Sequence, residues 1–168
     1  MTVTKNQFRV LTLLPLLFCV SVLMYALYVE HVMFLMPCNL CILQRIVFVA
    51  IGFWYLISIF KPVEYWGRKL IGVLILLTTI CGIAISGRHV WMQGLPPELV
   101  PDCGPSIQMM MDTSPLWEVL KNVLSASGNC ADIQWQFLGL SMPTWTLISF
   151  IGLFIYSILW MFITIRKS

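Results

Sequence analysis

The chain has 168 residues, 60% hydrophobic and 10% charged, with a formal net charge of +3. A water-soluble domain carries about 25% charged and about 45–50% apolar residues, so a soluble fold of this length has nowhere to hide the surplus. No basic stripe runs along the chain, which excludes a nucleic-acid surface, and the bilayer becomes the expected solvent.

Lys5 and Arg9 precede the first apolar run, Val10–Val29, which contains no charge. It exceeds the roughly 7–15 residues of a signal-peptide core and no A-x-A-like site follows, so it is expected to remain as a span. A segment without Lys or Arg, residues 30–39, leads into the second run, Leu40–Phe60, whose one charge is Arg45. Lys61, Arg68 and Lys69 separate it from the third run, Leu70–Ser86. Residues 87–143 then form a long loop with Arg88 and Lys121 set against Glu98, Asp102, Asp112, Glu118 and Asp132. The fourth run, Thr144–Ile165, is followed by Arg166 and Lys167. A spanning helix needs about 17–25 predominantly apolar residues, and hydrocarbon demands internally bonded backbone, so each run predicts a helix. The fold class is an all-α membrane protein, a single four-transmembrane-helix bundle. The positive-inside rule puts both termini and the 61–69 connection in the cytoplasm and the loops 30–39 and 87–143 on the opposite side.

The long loop is broken by Gly94, Pro96, Pro97, Pro101, Gly104 and Pro105. One stretch within it predicts a short amphipathic helix. Ser114 suits an N-cap, Pro115 the first turn, and Leu116, Trp117, Val119, Leu120, Val123 and Leu124 share an apolar face. Amphipathicity leaves open whether that face meets the bundle or the membrane interface.

Six cysteines sort by this topology. Cys19 and Cys81 fall inside spans and read as small apolar fillers. Cys38 and Cys41 form a Cys-x-x-Cys at the start of the second helix, where the dipole and free N–H groups favour a reactive thiolate and the spacing lets the sulfurs close into a small ring. Zinc sites also use Cys-x-x-Cys, but no second close ligand pair follows, since Cys103 and Cys130 lie far apart with no histidine near them. Those two, on the oxidising side, are either a structural disulfide or a second redox pair, and both readings stand. Arg45 is four residues after Cys41 on the same helix face. A cation at that depth either snorkels to the interface or serves a function, the latter being to stabilise a Cys41 thiolate and the oxygen of a lipid-soluble quinone.

The stretch from His31 through Met36-Pro37-Cys38-Asn39-Leu40-Cys41 to Gln44-Arg45 resembles the DsbB family of bacterial disulfide bond formation proteins. So do Ala126–Asp132, Gln134-Trp135, Phe137–Leu140 and Met142-Pro143, in the same order along the chain. The resemblance implies an inner-membrane thiol:quinone oxidoreductase with redox disulfides Cys38–Cys41 and Cys103–Cys130. A periplasmic DsbA-like thiol oxidase would form a transient mixed disulfide through Cys103. Electrons would pass to Cys38–Cys41, and Cys41 would deliver them to ubiquinone or menaquinone, with no metal involved. It further implies quinone-site roles for Arg45, His89, Gln93 and Met142. From the residues alone His89 could equally be a hydrated edge histidine, Gln93 a loop residue and Met142 plain packing. Gln44 stands where the best-known members of that family have an acidic residue, which leaves the resemblance implying no proton role for this side chain. A family of vitamin K epoxide reductases uses similar logic, but its Cys-x-x-Cys follows the loop pair, whereas here it comes first. A membrane scaffold with two inert disulfides is the non-enzyme alternative.

Overall fold

A computed structural model describes residues 5–35, 37–60, 65–96, 115, 117 and 135–166. Four long helices dominate it: α1 (Lys5–His31), α2 (Asn39–Phe60), α3 (Tyr65–Gln93) and α4 (Met142–Arg166). At 1.5 Å per residue their 22 to 29 residues span about 33–43 Å, enough to cross a hydrocarbon core of about 30 Å. Each runs beyond its apolar stretch. A helix end in the headgroup region keeps its backbone bonds while its side chains reach water, so Arg88 and His89 continue α3 rather than opening a loop. Cys103, Cys130 and most of the expected amphipathic helix lie outside the described residues. Of that helix only Pro115 and Trp117 are described, both exposed.

The burial pattern departs from that of a soluble protein at its outer face. Leu17, Val49, Phe53, Leu77, Ile155 and Phe162 face outward, while Thr12, Ser58, Thr79, Ser86, Ser157 and Thr164 are buried. Hydrocarbon solvates the outer faces, and each of five of these buried hydroxyls donates to a carbonyl one turn back, for example Thr79 to Ile75 (2.7 Å) and Ser86 to Gly82 (2.7 Å).

The helices pack as neighbours in chain order, α1 on α2, α2 on α3 and α3 on α4, whereas α1 and α4 meet at few points. Phe48 of α2 stacks on Phe150 of α4, with ring centroids 4.3 Å apart. The Phe150 ring in turn lies against Gly82 of α3, where an added Cβ would come within 2.7 Å of it. Away from the cysteines, polar contacts tie the helices together. Trp160 Nε1 donates to Thr12 Oγ1 (3.2 Å), Tyr156 to the Leu11 carbonyl (2.6 Å), and Tyr55 bonds Ser157 (2.9 Å). Cys19 fills this core, as a small apolar side chain should. Cys81 does not: it is exposed on the outer face of α3, so the filler role is corrected for it.

A small hairpin precedes α4. β1 (Gln136–Phe137) pairs antiparallel with β2 (Leu140–Ser141), around Leu138 and Gly139 at φ 54° and 78°. Two successive positive φ values are the signature of the tight turn that matches strand twist.

Candidate functional site: a dithiol at the head of an apolar cavity

Cys38 stands immediately before α2 and caps it with sulfur. The Cys41 N–H donates to Cys38 Sγ (3.4 Å), and the Ile42 N–H to the Cys38 carbonyl (3.1 Å). A Cys-x-x-Cys at this position thus places one sulfur over the free N–H groups of the first turn, where negative charge is favoured. The two sulfurs are 2.9 Å apart. That is close enough for the bond of about 2.05 Å expected between Cys38 and Cys41 to form with little movement. Cys38 rests against Leu40 and Met92, both fully buried.

His89 reaches the pair from α3. It is 2% exposed, which removes the hydrated-edge reading. Its Nε2 lies 3.6 Å from Cys38 Sγ, and Gln44 Nε2 donates to its Nδ1 (3.3 Å). An acceptor Nδ1 leaves the ring proton of neutral imidazole on Nε2, facing the sulfur. Gln44, itself buried, therefore sets the histidine tautomer; its place in the sequence gave no hint of this, because the partner is 45 residues away.

Arg45 has a partner that sequence reasoning missed. Its guanidinium pairs with the Glu30 carboxylate from the end of α1, and Nη2 donates to the Ala26 carbonyl (3.2 Å). The signal was available: Glu30 is the lone acid beside a segment without basic residues, and a cation inside a span needs a counter-charge. The expected Arg45–Cys41 helix face stands, with both side chains bordering one cavity.

That cavity has a volume of about 610 Å³ and lies between α1, α2 and the first turns of α4. Cys38, Cys41, Gln44, Arg45, His89 and Gln93 border it, as does Met142. The structure thus brings together Cys38, Cys41, Arg45, His89, Gln93 and Met142. Gln93 is also engaged by the hairpin, since Ser141 donates to its Oε1 (2.6 Å). An aromatic series crosses the gap between α1 and α4: Tyr25 edge-on to Trp135, Trp135 stacked on Phe137, and Phe137 beside Trp145, whose Nε1 donates to the Phe137 carbonyl (3.1 Å). Trp135 and Phe137 entered the sequence reading only as part of the family resemblance, with no site role, and Tyr25 and Trp145 not at all. His31 is remote in role: it is exposed and bonds the Leu27 carbonyl (3.0 Å).

The site can therefore hold a flat apolar ring against aromatic walls, with a dithiol, an imidazole and a guanidinium at its polar end. The chain matches the family model for "Disulfide bond formation protein DsbB" over residues 8–160. It is 44% identical over 140 residues to Disulfide bond formation protein B of Nitrosococcus oceani, covering 83% of each chain. Identity to the protein of the same name from Saccharophagus degradans is 42% over 159 residues, 94% of this chain and 96% of that one. For Methylococcus capsulatus it is 44% over 156 residues, 93% and 95% of the two chains.

Proposed function

Because the chain belongs to the DsbB family of disulfide bond formation proteins, we propose that it carries electrons from a periplasmic dithiol to a membrane quinone. The observation that bears most weight is the Cys38–Cys41 pair at the polar head of an apolar cavity beside Arg45 and His89. Ligand sites of about 300–1,000 Å³ with apolar walls and a few convergent polar groups are typical of small-molecule binding, and this cavity fits a quinone head. A bound quinone supplies the two-electron sink, taking up two electrons and two protons.

The residues of the chain do the rest. A reduced DsbA-like donor attacks the Cys103–Cys130 disulfide at Cys103, and the mixed disulfide resolves to release oxidised donor and a loop dithiol. That dithiol reduces Cys38–Cys41, leaving two thiols at the cavity head. The N–H of Cys41 and the Nε2 of His89 converge on Cys38 Sγ and favour negative charge there, and Arg45 favours it one turn further on, near Cys41. His89, with its tautomer set by Gln44, holds or moves a proton at Cys38 Sγ. The aromatic series between α1 and α4 excludes water from the exchange. Both cysteine pairs face the periplasm, with the termini in the cytoplasm of a bacterial inner-membrane protein, in keeping with the basic residues at the opposite end of the bundle. The acceptor is ubiquinone or menaquinone.

Anaerobic turnover of purified protein with reduced donor and a soluble quinone, followed by quinone absorbance, tests this. Quinone reduction that vanishes in Cys41→Ser and in Cys103→Ser, with Arg45→Ala raising the quinone KM about tenfold or more, is the expected result. Full turnover in Cys41→Ser would remove the Cys-x-x-Cys from the quinone-reducing role.

A further inference from the structure

The Cys38–Cys41 pair does not stand alone. The two sulfurs and a ring nitrogen of His89 all lie within 4.8 Å of one another. Two thiolates and an imidazole are the ligand set of a three-ligand zinc site with one open position. Bond lengths of about 2.3 Å to sulfur and about 2.0 Å to nitrogen put neighbouring ligands of a tetrahedral ion about 3.4–3.8 Å apart. Cys38 Sγ and His89 Nε2 are already 3.6 Å apart, while the sulfurs, at 2.9 Å, need to part by about 1 Å.

We infer that the reduced form of this site captures a thiophilic divalent cation, Zn2+ being the type, through Cys38, Cys41 and His89, and that capture arrests the enzyme. The inference rests on the proposed function for its consequence, since holding both sulfurs on a metal blocks their return to a disulfide. Binding itself releases the two thiol protons and moves no electrons. Charge favours it. Two thiolates, one dication and a neutral imidazole sum to zero, which suits a site walled by Leu40 and Met92 far better than a dithiolate alone. Gln44 fits both states. With its amide nitrogen toward Nδ1 it favours the Nε2-protonated tautomer; turned over, its carbonyl oxygen accepts from a protonated Nδ1 and frees Nε2 for the metal. The disulfide form offers no thiolates, so the site exists only in the reduced protein. Its open position faces the cavity.

Anaerobic Co2+ titration of the full-length protein in detergent tests this, with Cys103→Ser and Cys130→Ser removing the loop thiols. Reduced protein is expected to take up one Co2+ per chain, with sulfur-to-cobalt charge-transfer absorption for two thiolates and tetrahedral ligand-field bands, displaced by Zn2+. Oxidised protein is expected to take up none. His89→Ala should weaken binding about 10–100-fold and abolish the tetrahedral bands, and Gln44→Leu, which removes no ligand, should weaken it about tenfold. Binding by His89→Ala as tight as by the protein that keeps His89, or binding by the oxidised protein, overturns the inference. In the unsubstituted protein Zn2+ should stop quinone reduction and a chelator restore it. Quinone reduction by the unsubstituted protein without Co2+ uptake by the loop-serine variant overturns the metal site alone; stoichiometric Co2+ uptake by that variant, with no quinone reduction by the unsubstituted protein, supports the site and overturns the functional reading.

Discussion

Arg45 sits one helical turn after Cys41, and the charge that restrains it comes from a different helix. Glu30 neutralises the guanidinium, so the field at the thiols is that of an ion pair rather than of a bare cation. Converting Glu30 to Gln should release that field. At an effective dielectric near 20, one unit charge about 10 Å away is worth about 1–2 kcal/mol, which corresponds to at least about fivefold in reactivity. Glu30→Gln is therefore expected to speed alkylation of reduced Cys41 at neutral pH, and Arg45→Ala to slow it, read by mass spectrometry of the peptide. Equal rates in all three proteins would show that the pair does not act on the thiols. How much was legible follows the same line. Cys38, Cys41 and Arg45 announce themselves by spacing along one helix, and the cavity gathers them with His89, Gln93 and Met142. Glu30 and Gln44 act through partners 15 and 45 residues away, a relation that helical periodicity does not encode.

Helices were the most readable elements, because a run of apolar residues long enough to cross hydrocarbon has one backbone solution. Their ends were less so, since the polar residues that extend α3 to Gln93 are as compatible with a loop as with a helix emerging into headgroups. The hairpin before α4 escaped notice altogether: its turn uses Leu138 at φ 54° where Asn or Gly is the usual signal. Replacing Leu138 by Asn should preserve the turn, while Gly139→Val should disrupt it, release Phe137 from Trp145 and raise the quinone KM about threefold or more. An unchanged KM in Gly139→Val would show that the aromatic series does not depend on the hairpin. Between α3 and α4 the close approach rests on Gly82. Gly82→Ala should cost about 1–3 kcal/mol through overlap with Phe150, seen as a lower Tm in detergent, and Gly82→Ala with Phe150→Leu should recover much of it.

For the molecule as a whole, the apolar exterior, around a core whose buried hydroxyls are bonded within their own helices, describes a protein whose solvent is lipid, and the weak contact between α1 and α4 describes a bundle with one seam. The cavity lies along that seam, lined by residues of both α1 and α4. Ser149→Trp, in the cavity wall, is expected to raise the quinone KM about tenfold while leaving single-turnover exchange with the dithiol donor intact; loss of both would mean that the two half-reactions share more structure than the cavity. The seam is fastened at one end by Trp160 on Thr12 and Tyr156 on Leu11. The cavity wall begins at Ser21, and its Ala26 lies fourteen residues along α1 from Thr12, about 21 Å from that fastening. A pair of tongs works this way. A swing of about 3° at the fastened end parts α1 and α4 by about 1 Å at the cavity, a little under the radius of a water molecule. The lateral pressure of the surrounding lipid thereby becomes a control on how readily the mouth opens, and the same protein should turn over at different rates in bilayers that squeeze it differently.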